Sequence, residues 1–362
     1  MSPSTDPPLS TAKAQPTLPQ GAATLEDAIK QAAKTLGFHN VGIVAVRDIE
    51  NHPQWQTAQA NYEAWLGQGY HAGMAWMTRY TELRLEPWRI LEGTQSIVCV
   101  AISYKHPHNE SSAVTDLKVA EYAWGKDYHR VIRKRLQKLL DLIQQWCPGV
   151  EGRPLTDSAP ALEKPLAQLA GLGWQGKNTL LIHPTLGSTF FLGELLLTLP
   201  LQSDAPFATN HCGTCTKCLD ACPTQAFPQP GVLDSNRCIA YWTIETEPED
   251  VFPAAIAENM NGWVFGCDIC QQVCPFNKKQ PRLFNKGSQM MPITPEPAFL
   301  PRPWIQSPDA TQWKALDEAT FNRWFQANPI QRTGLAGLHR NVTAALTSTN
   351  TSTKSDHHPK EP

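Results

Sequence analysis

The sequence predicts an α/β domain, then a ferredoxin-like domain for two [4Fe–4S] clusters, and finally a short C-terminal helical region. Three observations carry this. Over residues 25–200, short apolar strands alternate with amphipathic helical stretches. Eight of the ten cysteines fall between residues 212 and 274. Beyond a Pro-rich linker (Pro292, Pro295, Pro297, Pro301, Pro303), helical periodicity returns over 309–347. The domains are therefore expected at 23–204, 205–290 and 291–347, between disordered tails at 1–22 and 348–362.

In the first domain, Thr24 precedes Leu25, Ala28, Ile29, Ala32, Ala33 and Leu36, a capped amphipathic helix that ends at Gly37. Val41–Val46 and Ile97–Ser103 read as strands, the second long and apolar enough to be buried on both faces. Cys99 lies within it as a core thiol. A long helix follows over 127–146, with Val131, Ile132, Leu136, Leu139, Leu140 and Ile143 inward. Arg130, Arg133, Lys134, Arg135 and Lys138 form a basic face, ordinarily a solvated one, with an RNA-facing patch as the competing reading. Cys147 ends this stretch as a structural cysteine. A helix at 161–170 and strands at 179–182 and 188–198 complete the domain.

The cysteines form two runs. Cys212-x2-Cys215-x2-Cys218-x3-Cys222-Pro223 has the spacing that wraps a [4Fe–4S] cluster and sends its fourth cysteine to a neighbouring one. Cys238, then Cys267-x2-Cys270-x3-Cys274-Pro275, repeats it with the first cysteine displaced upstream. By that logic Cys212, Cys215, Cys218 and Cys274 hold one cluster, and Cys222, Cys238, Cys267 and Cys270 hold the other. Zinc would favour paired C-x2-C and four ligands. Two clusters side by side make an electron wire.

Composition bounds the partners. The net charge of −2 over 362 residues announces no global field for nucleic acid or membrane, though it leaves room for docking one shaped RNA. No apolar run reaches bilayer length, and residues 1–22 contain neither arginine nor an apolar core of a targeting peptide. Oxygen-sensitive clusters and free thiols point to the cytoplasm.

Two motifs are set aside. Gly171-Leu-Gly-Trp-Gln-Gly176-Lys177-Asn178 fits a phosphate loop, but with helix before and strand after, the reverse of what phosphate binding needs. Asp127-Tyr-His129-Arg-Val-Ile132 lacks the glycine of a cobalt-ligating histidine signature, so His129 is expected packed at a helix start. Thr156-Asp157-Ser158-Ala159-Pro160 precedes a helix. On pattern alone Asp157 is either an N-cap or a general acid with a tuned pKa.

The segment from Thr156 to Ile182 resembles the hallmark stretch of the epoxyqueuosine reductase family. So do Tyr122-Ala-Trp-Gly-Lys-Asp-Tyr-His129, Phe191-Leu-Gly-Glu194, Arg237-Cys-Ile-Ala-Tyr-Trp-Thr-Ile244-Glu245 and Gly266-Cys-Asp-Ile-Cys-Gln-Gln-Val-Cys-Pro275. The resemblance runs from about residue 25 to 347 and implies that the first domain binds cobalamin. The implied reaction reduces epoxyqueuosine to queuosine at the wobble base of a tRNA. Removing an epoxide oxygen as water takes two electrons and two protons, which suits a wire feeding a two-electron centre.

The resemblance makes Asp157 the proton donor, kept protonated by its place beside a corrin. It suggests Arg79 as a corrin contact, with Arg84 close enough to be confused with it. Lys177, Asn178, Leu181, His183, Phe191, Asp268 and Ile269 become cofactor-pocket residues, and Ile244, Arg332 and Arg340 tRNA contacts. A reduced flavodoxin or ferredoxin would supply electrons, and a monomer is implied. Many relatives continue into helical repeats where this match stops near Thr347. The competing readings are a cobalamin-dependent reductive dehalogenase, a bare electron carrier and an RNA-binding protein with structural clusters.

Overall fold

A computed structural model describes residues 21–106, 117–278, 296–306 and 308–355 of the chain. The expected N-terminal tail up to residue 20, Pro292 and Pro295 of the linker, and residues 356–362 lie outside the described residues.

The first domain is built on one sheet. Its strands are β1 (Asn40–Ala45), β2 (Ser96–Ser103), β4 (Gly152–Leu155) and β7 (Phe190–Leu197), and between them in the chain lie the short β3 (Lys118–Val119), β5 (Trp174–Gln175) and β6 (Leu181–Ile182). The sheet order is β1-β2-β7-β4, and every pairing within it is antiparallel. Alternating strands and helices show an α/β composition but not strand direction, because each connection here is long enough to return either way.

Both faces are covered, which is why β2 is one unbroken apolar run. Its Val98, Val100 and Ile102 join the core beneath the helices Leu25–Thr35 and Tyr128–Trp146. Ile97, Cys99 and Ala101 join the opposite core with the helices Pro53–Gly67 and Glu163–Leu169. Thr24 caps the first helix as expected, its hydroxyl oxygen accepting the Asp27 N–H at 3.1 Å.

The Tyr128–Trp146 helix buries Ile132, Leu136, Leu139, Leu140 and Ile143. Arg130, Arg133, Lys134 and Lys138 are exposed, while Arg135 turns aside to pair with buried Glu296. The Gly171–Asn178 stretch forms part of the β5–β6 hairpin, after the Glu163–Leu169 helix. That order places no helix N-terminus at the loop.

The cysteine region is joined to the first domain by a parallel ladder between β3 and β8 (Trp263–Phe265). The C-terminal region closes over the same seam. Asn328 Nδ2 donates to the carbonyls of Ala123 and Gly125 at 2.7 and 2.5 Å. The N–H groups of Lys126 and Asp127 donate to Ala298 and Ala327. Fully buried Asn341 donates to the carbonyls of Thr243 and Val264 at 2.9 and 3.0 Å. Phe265, Trp313, Phe321, Phe325, Ile330 and Leu338 fill the core beneath. The last helix, Gly334–Ser355, runs past the expected end of the helical region at 347.

Candidate active site

β4 delivers the chain to Asp157 and β7 anchors it there, since Thr156 Oγ1 donates to the Leu192 carbonyl at 2.8 Å. Asp157 then adopts φ +52°, a left-handed conformation that an L-residue holds only when its surroundings enforce it. The enforcement is visible. Its own N–H donates to the Glu163 carboxylate, and its Oδ2 receives Tyr128 O–H at 2.5 Å and His129 Nε2 at 3.0 Å. The cap position of the Glu163–Leu169 helix belongs to Leu162, so Asp157 is not the N-cap that pattern alone allowed.

His129 bridges two carboxylates, with Nδ1 2.7 Å from Asp127 Oδ1 and Nε2 on Asp157. Burial pulls the His129 pKa down, but the paired carboxylates outweigh it and raise the value to about 9. Both ring nitrogens therefore carry protons at neutral pH. Burial alone would raise the Asp157 pKa, but hydrogen bonds from His129 and Tyr128 reverse the direction and hold it below the usual carboxylate value. In the protein by itself, Asp157 is thus the ionised partner of an imidazolium rather than a standing acid. Its side chain is 56% exposed, so the carboxylate faces solvent above the residues beneath it.

Those residues are aromatic. Tyr128 stacks on Phe191 at 4.1 Å and 9°, and on His129 at 4.2 Å. Phe191 packs in turn against Tyr104 and Phe299. The expected pocket residue Phe191 therefore lies beneath Tyr128 and orients it. Arg332, paired with Glu245 at 2.5 Å and 55% exposed, is close enough for its charge to act on Asp157. Ile244 ends the helix just before Glu245 and is half-buried. Arg340 is placed differently. Its guanidinium donates to the carbonyls of Trp242 and Glu247 and lies 4.6 Å from the Phe252 ring centroid, a clamp inside the C-terminal core.

The cysteines gather in the two sets that their spacing predicts. Cys222, Cys238, Cys267 and Cys270 line one cavity together with Pro223, Ile239 and Ile269. Cys212, Cys215, Cys218 and Cys274 are mutual electrostatic neighbours. Burial first, and the neighbouring sulfurs second, push the Cys218 and Cys270 thiols upward. Four sulfurs so close together would be stabilised as thiolates by a bound metal cation. Trp174 Nε1 donates to Cys212 Sγ at 3.5 Å, and the Ala226 N–H to Cys222 Sγ at 3.3 Å.

The remaining expected residues divide. Lys177 Nζ donates to the Gly213 carbonyl at 2.7 Å and so sits on the loop of the first cysteine set. Asp268 is buried between two cysteines of the second set, accepting from Glu121 N–H and Gln271, and burial raises its pKa to about 6. Leu181 belongs to the core. His183 is kept neutral by burial, with a pKa of about 4, and its Nδ1 accepts the N–H groups of Thr185 and Leu186. Asn178 is buried with its Nδ2 unpartnered. Arg79 is exposed, whereas Arg84 is buried with Nε unpartnered and lies 5.7 Å from the ring centroid of exposed Trp76.

Sequence reasoning missed Tyr128, Glu163 and Glu194, and set His129 aside. A signal for His129 was available. A protonated histidine in the first turn opposes the helix dipole, so an aspartate two residues before it marks a compensated charge.

Comparisons with known proteins place the chain in a family. The family described as "4Fe-4S double cluster binding domain" matches residues 211–277, and "Epoxyqueuosine reductase QueG, DUF1730" matches 84–158. An epoxyqueuosine reductase of Synechocystis is 40% identical over 84% of this chain and 100% of its own length. That of Escherichia coli is 40% identical over 89% of this chain and 80% of its own. Among solved structures, an epoxyqueuosine reductase with an epoxyqueuosine-modified tRNA-Tyr stem loop superposes with TM-score 0.77 at 26% identity, covering 93% of this chain and 86% of that one. One from Bacillus subtilis, with its catalytic aspartate loop swung out of the active site, gives 0.76 at 26%, over 93% and 87%.

Proposed function

The chain belongs to the epoxyqueuosine reductase family, an oxidoreductase family, and from that premise we propose that it reduces epoxyqueuosine in tRNA to queuosine. Electrons would enter from a reduced flavodoxin or ferredoxin, pass through two [4Fe–4S] clusters and reach cobalamin, with Asp157 delivering a proton and the chain acting as a cytoplasmic monomer. Two relatives support the substrate and the acid, one solved with a modified tRNA stem loop and one with a mobile catalytic aspartate loop. The single observation that carries the reading is the solvent-facing Asp157–His129 pair, in a chain that also gathers eight cysteines into two sets. Among the described residues no helix is long and apolar enough to cross a membrane.

The donor set fits cobalamin. Arg84 Nε and Asn178 Nδ2 are buried N–H donors without acceptors, and the amide-bearing rim of a corrin supplies acceptors. Arg84 and Asn178 would hold the ring periphery, with Asp268 and Ile269 approaching from the second cysteine set. Bound there, cobalamin would supply low-valent cobalt that collects single electrons and releases them as a pair.

The chain's own residues handle the proton. Loss of the epoxide oxygen as water consumes two electrons and two protons. His129 holds a proton up to about pH 9 at 3.0 Å from Asp157. Tyr128 O–H also donates to Asp157 Oδ2, so the carboxylate can take a proton from His129 and then pass it outward. Arg332 at the rim offers a positive group to a phosphate.

The test is turnover of epoxyqueuosine-containing tRNA by anaerobically reconstituted protein with cobalamin and a strong reductant, read by nucleoside mass spectrometry. Loss of one oxygen from the modified base, abolished in Asp157→Asn with clusters intact, is expected. Full activity of that variant removes Asp157 from its role, and absence of cobalamin binding favours a bare electron carrier.

A further inference from the structure

Glu194 on β7 is fully buried, and both its carboxyl oxygens lack a hydrogen-bond donor. It lies opposite Cys99 of β2 in the sheet register. The polar group it meets is the carboxyl of Glu163, within hydrogen-bonding reach. Two facing carboxyls can be joined directly only by a proton held between them, because an ionised carboxyl has no donor of its own. Glu163 is also the acceptor of the Asp157 N–H. The sole backbone tether of a left-handed aspartate among the described contacts therefore rests on a carboxyl whose other partner is buried.

We propose that Glu163 and Glu194 share one proton, and that this proton sets the position of the Asp157 loop, making both glutamates positioning residues for the reaction. The inference rests on the function proposed above for Asp157.

Burial first, and the neighbouring carboxylates second, act on both groups in the direction required. Glu163 is raised to about 7, and Glu194 is pushed well above the usual carboxyl value. The charged and titratable groups around the pair are Asp157 in the loop, Lys164 on the same helix as Glu163, Cys99 on β2, and Tyr128 on the facing helix. Of these only Lys164 is cationic and favours ionisation, while Asp157 opposes it. With the proton in place, Glu163 is held inward and its free oxygen meets the Asp157 N–H. Once it is lost, two buried carboxylates repel, Glu163 is driven from Glu194 and the tether moves with it. In a family where one member's catalytic aspartate loop is seen swung out of the site, this gives the chain a physical latch for that loop.

Two readouts test it, one independent of turnover. Infrared difference spectra between neutral and alkaline pH should show a protonated-carboxyl stretch in the native protein that Glu194→Gln and Glu163→Gln each abolish. In Glu194→Gln the amide donates permanently to Glu163. The alkaline limb of kcat should then move upward by about one pH unit, and residues 156–162 should keep at alkaline pH the same protection against amide exchange, relative to the unfolded-chain rate, that they have at neutral pH. Glu194→Ala, with no donor, should raise that exchange already at neutral pH. A carboxyl band absent from the native protein, or one that survives both Gln substitutions, overturns the shared proton. A band that behaves as expected, with kcat limb and loop exchange identical in native and Glu194→Gln protein, overturns the latch. Because the spectrum and the exchange need no substrate, failure of the proposed reaction would leave both results legible.

Discussion

Replacing His129 by glutamine removes an imidazolium held between Asp127 and Asp157, at 2.7 and 3.0 Å. Its pKa is raised from 6.5 to about 9 in the folded protein. A base with a raised folded pKa contributes its full stabilisation below the unfolded value and loses it as pH climbs through the folded one. The window therefore runs from about pH 6.5 to 9. The shift sets a ceiling of roughly 3 kcal/mol. The Asp157 side chain is more than half exposed, so solvent screening reduces the expected contribution to about 1–2 kcal/mol. The assay is anaerobic thermal denaturation of cluster-loaded native and His129→Gln protein across that window. The variant should melt a few degrees lower at the acid end, and the two curves should converge at the alkaline end. A gap that stays constant with pH would show that the imidazolium is not the stabilising species and would refute the charge pairing.

Other outcomes follow from the same contacts. Asn341→Ala strips donors from two buried carbonyls and should cost about 2–4 kcal/mol, seen as a lowered melting temperature. Cys238→Ser should remove half the iron, by iron and sulfide analysis, and leave the spectrum of one cluster; retention of all the iron would contradict the ligand grouping. Trp174→Phe deletes the N–H donor to Cys212 Sγ and should lower the potential of that cluster by on the order of tens of millivolts in spectroelectrochemical titration. Arg332→Glu should weaken tRNA binding with a shallower salt dependence, measured by filter binding, while Arg340→Gln should instead lower stability through the lost carbonyl clamp.

Much of the site was legible in the chain because spacing is a local property. Within a run the x2-x2-x3 spacing is local, whereas exchanging Cys222 and Cys274 between the sets rested on the known crossover of the fourth cysteine. Three helices of the first domain declared themselves through their period, one with its Thr24 cap, whereas Pro53–Gly67 has almost no amphipathic period and was not read. Asp157 could be singled out but not interpreted, because an N-cap and an acid share the same sequence context. The decision came from Tyr128 and His129, nearly thirty residues upstream, which meet it only when β4 and the Tyr128–Trp146 helix pack side by side.

The sequence by itself pointed to the cysteine chemistry, to three helices of the first domain and to the buried strands β1, β2 and β7, since run spacing, period and caps depend on near neighbours. Only the tertiary structure decided strand direction, the seam joining β3 to β8, and the proton state of the site. Those depend on which groups a folded chain brings within a few ångströms and shields from water. Glu194 shows the difference: along β7 it is one polar residue in an apolar strand, and only burial against Glu163 turns it into a carboxyl with a raised pKa.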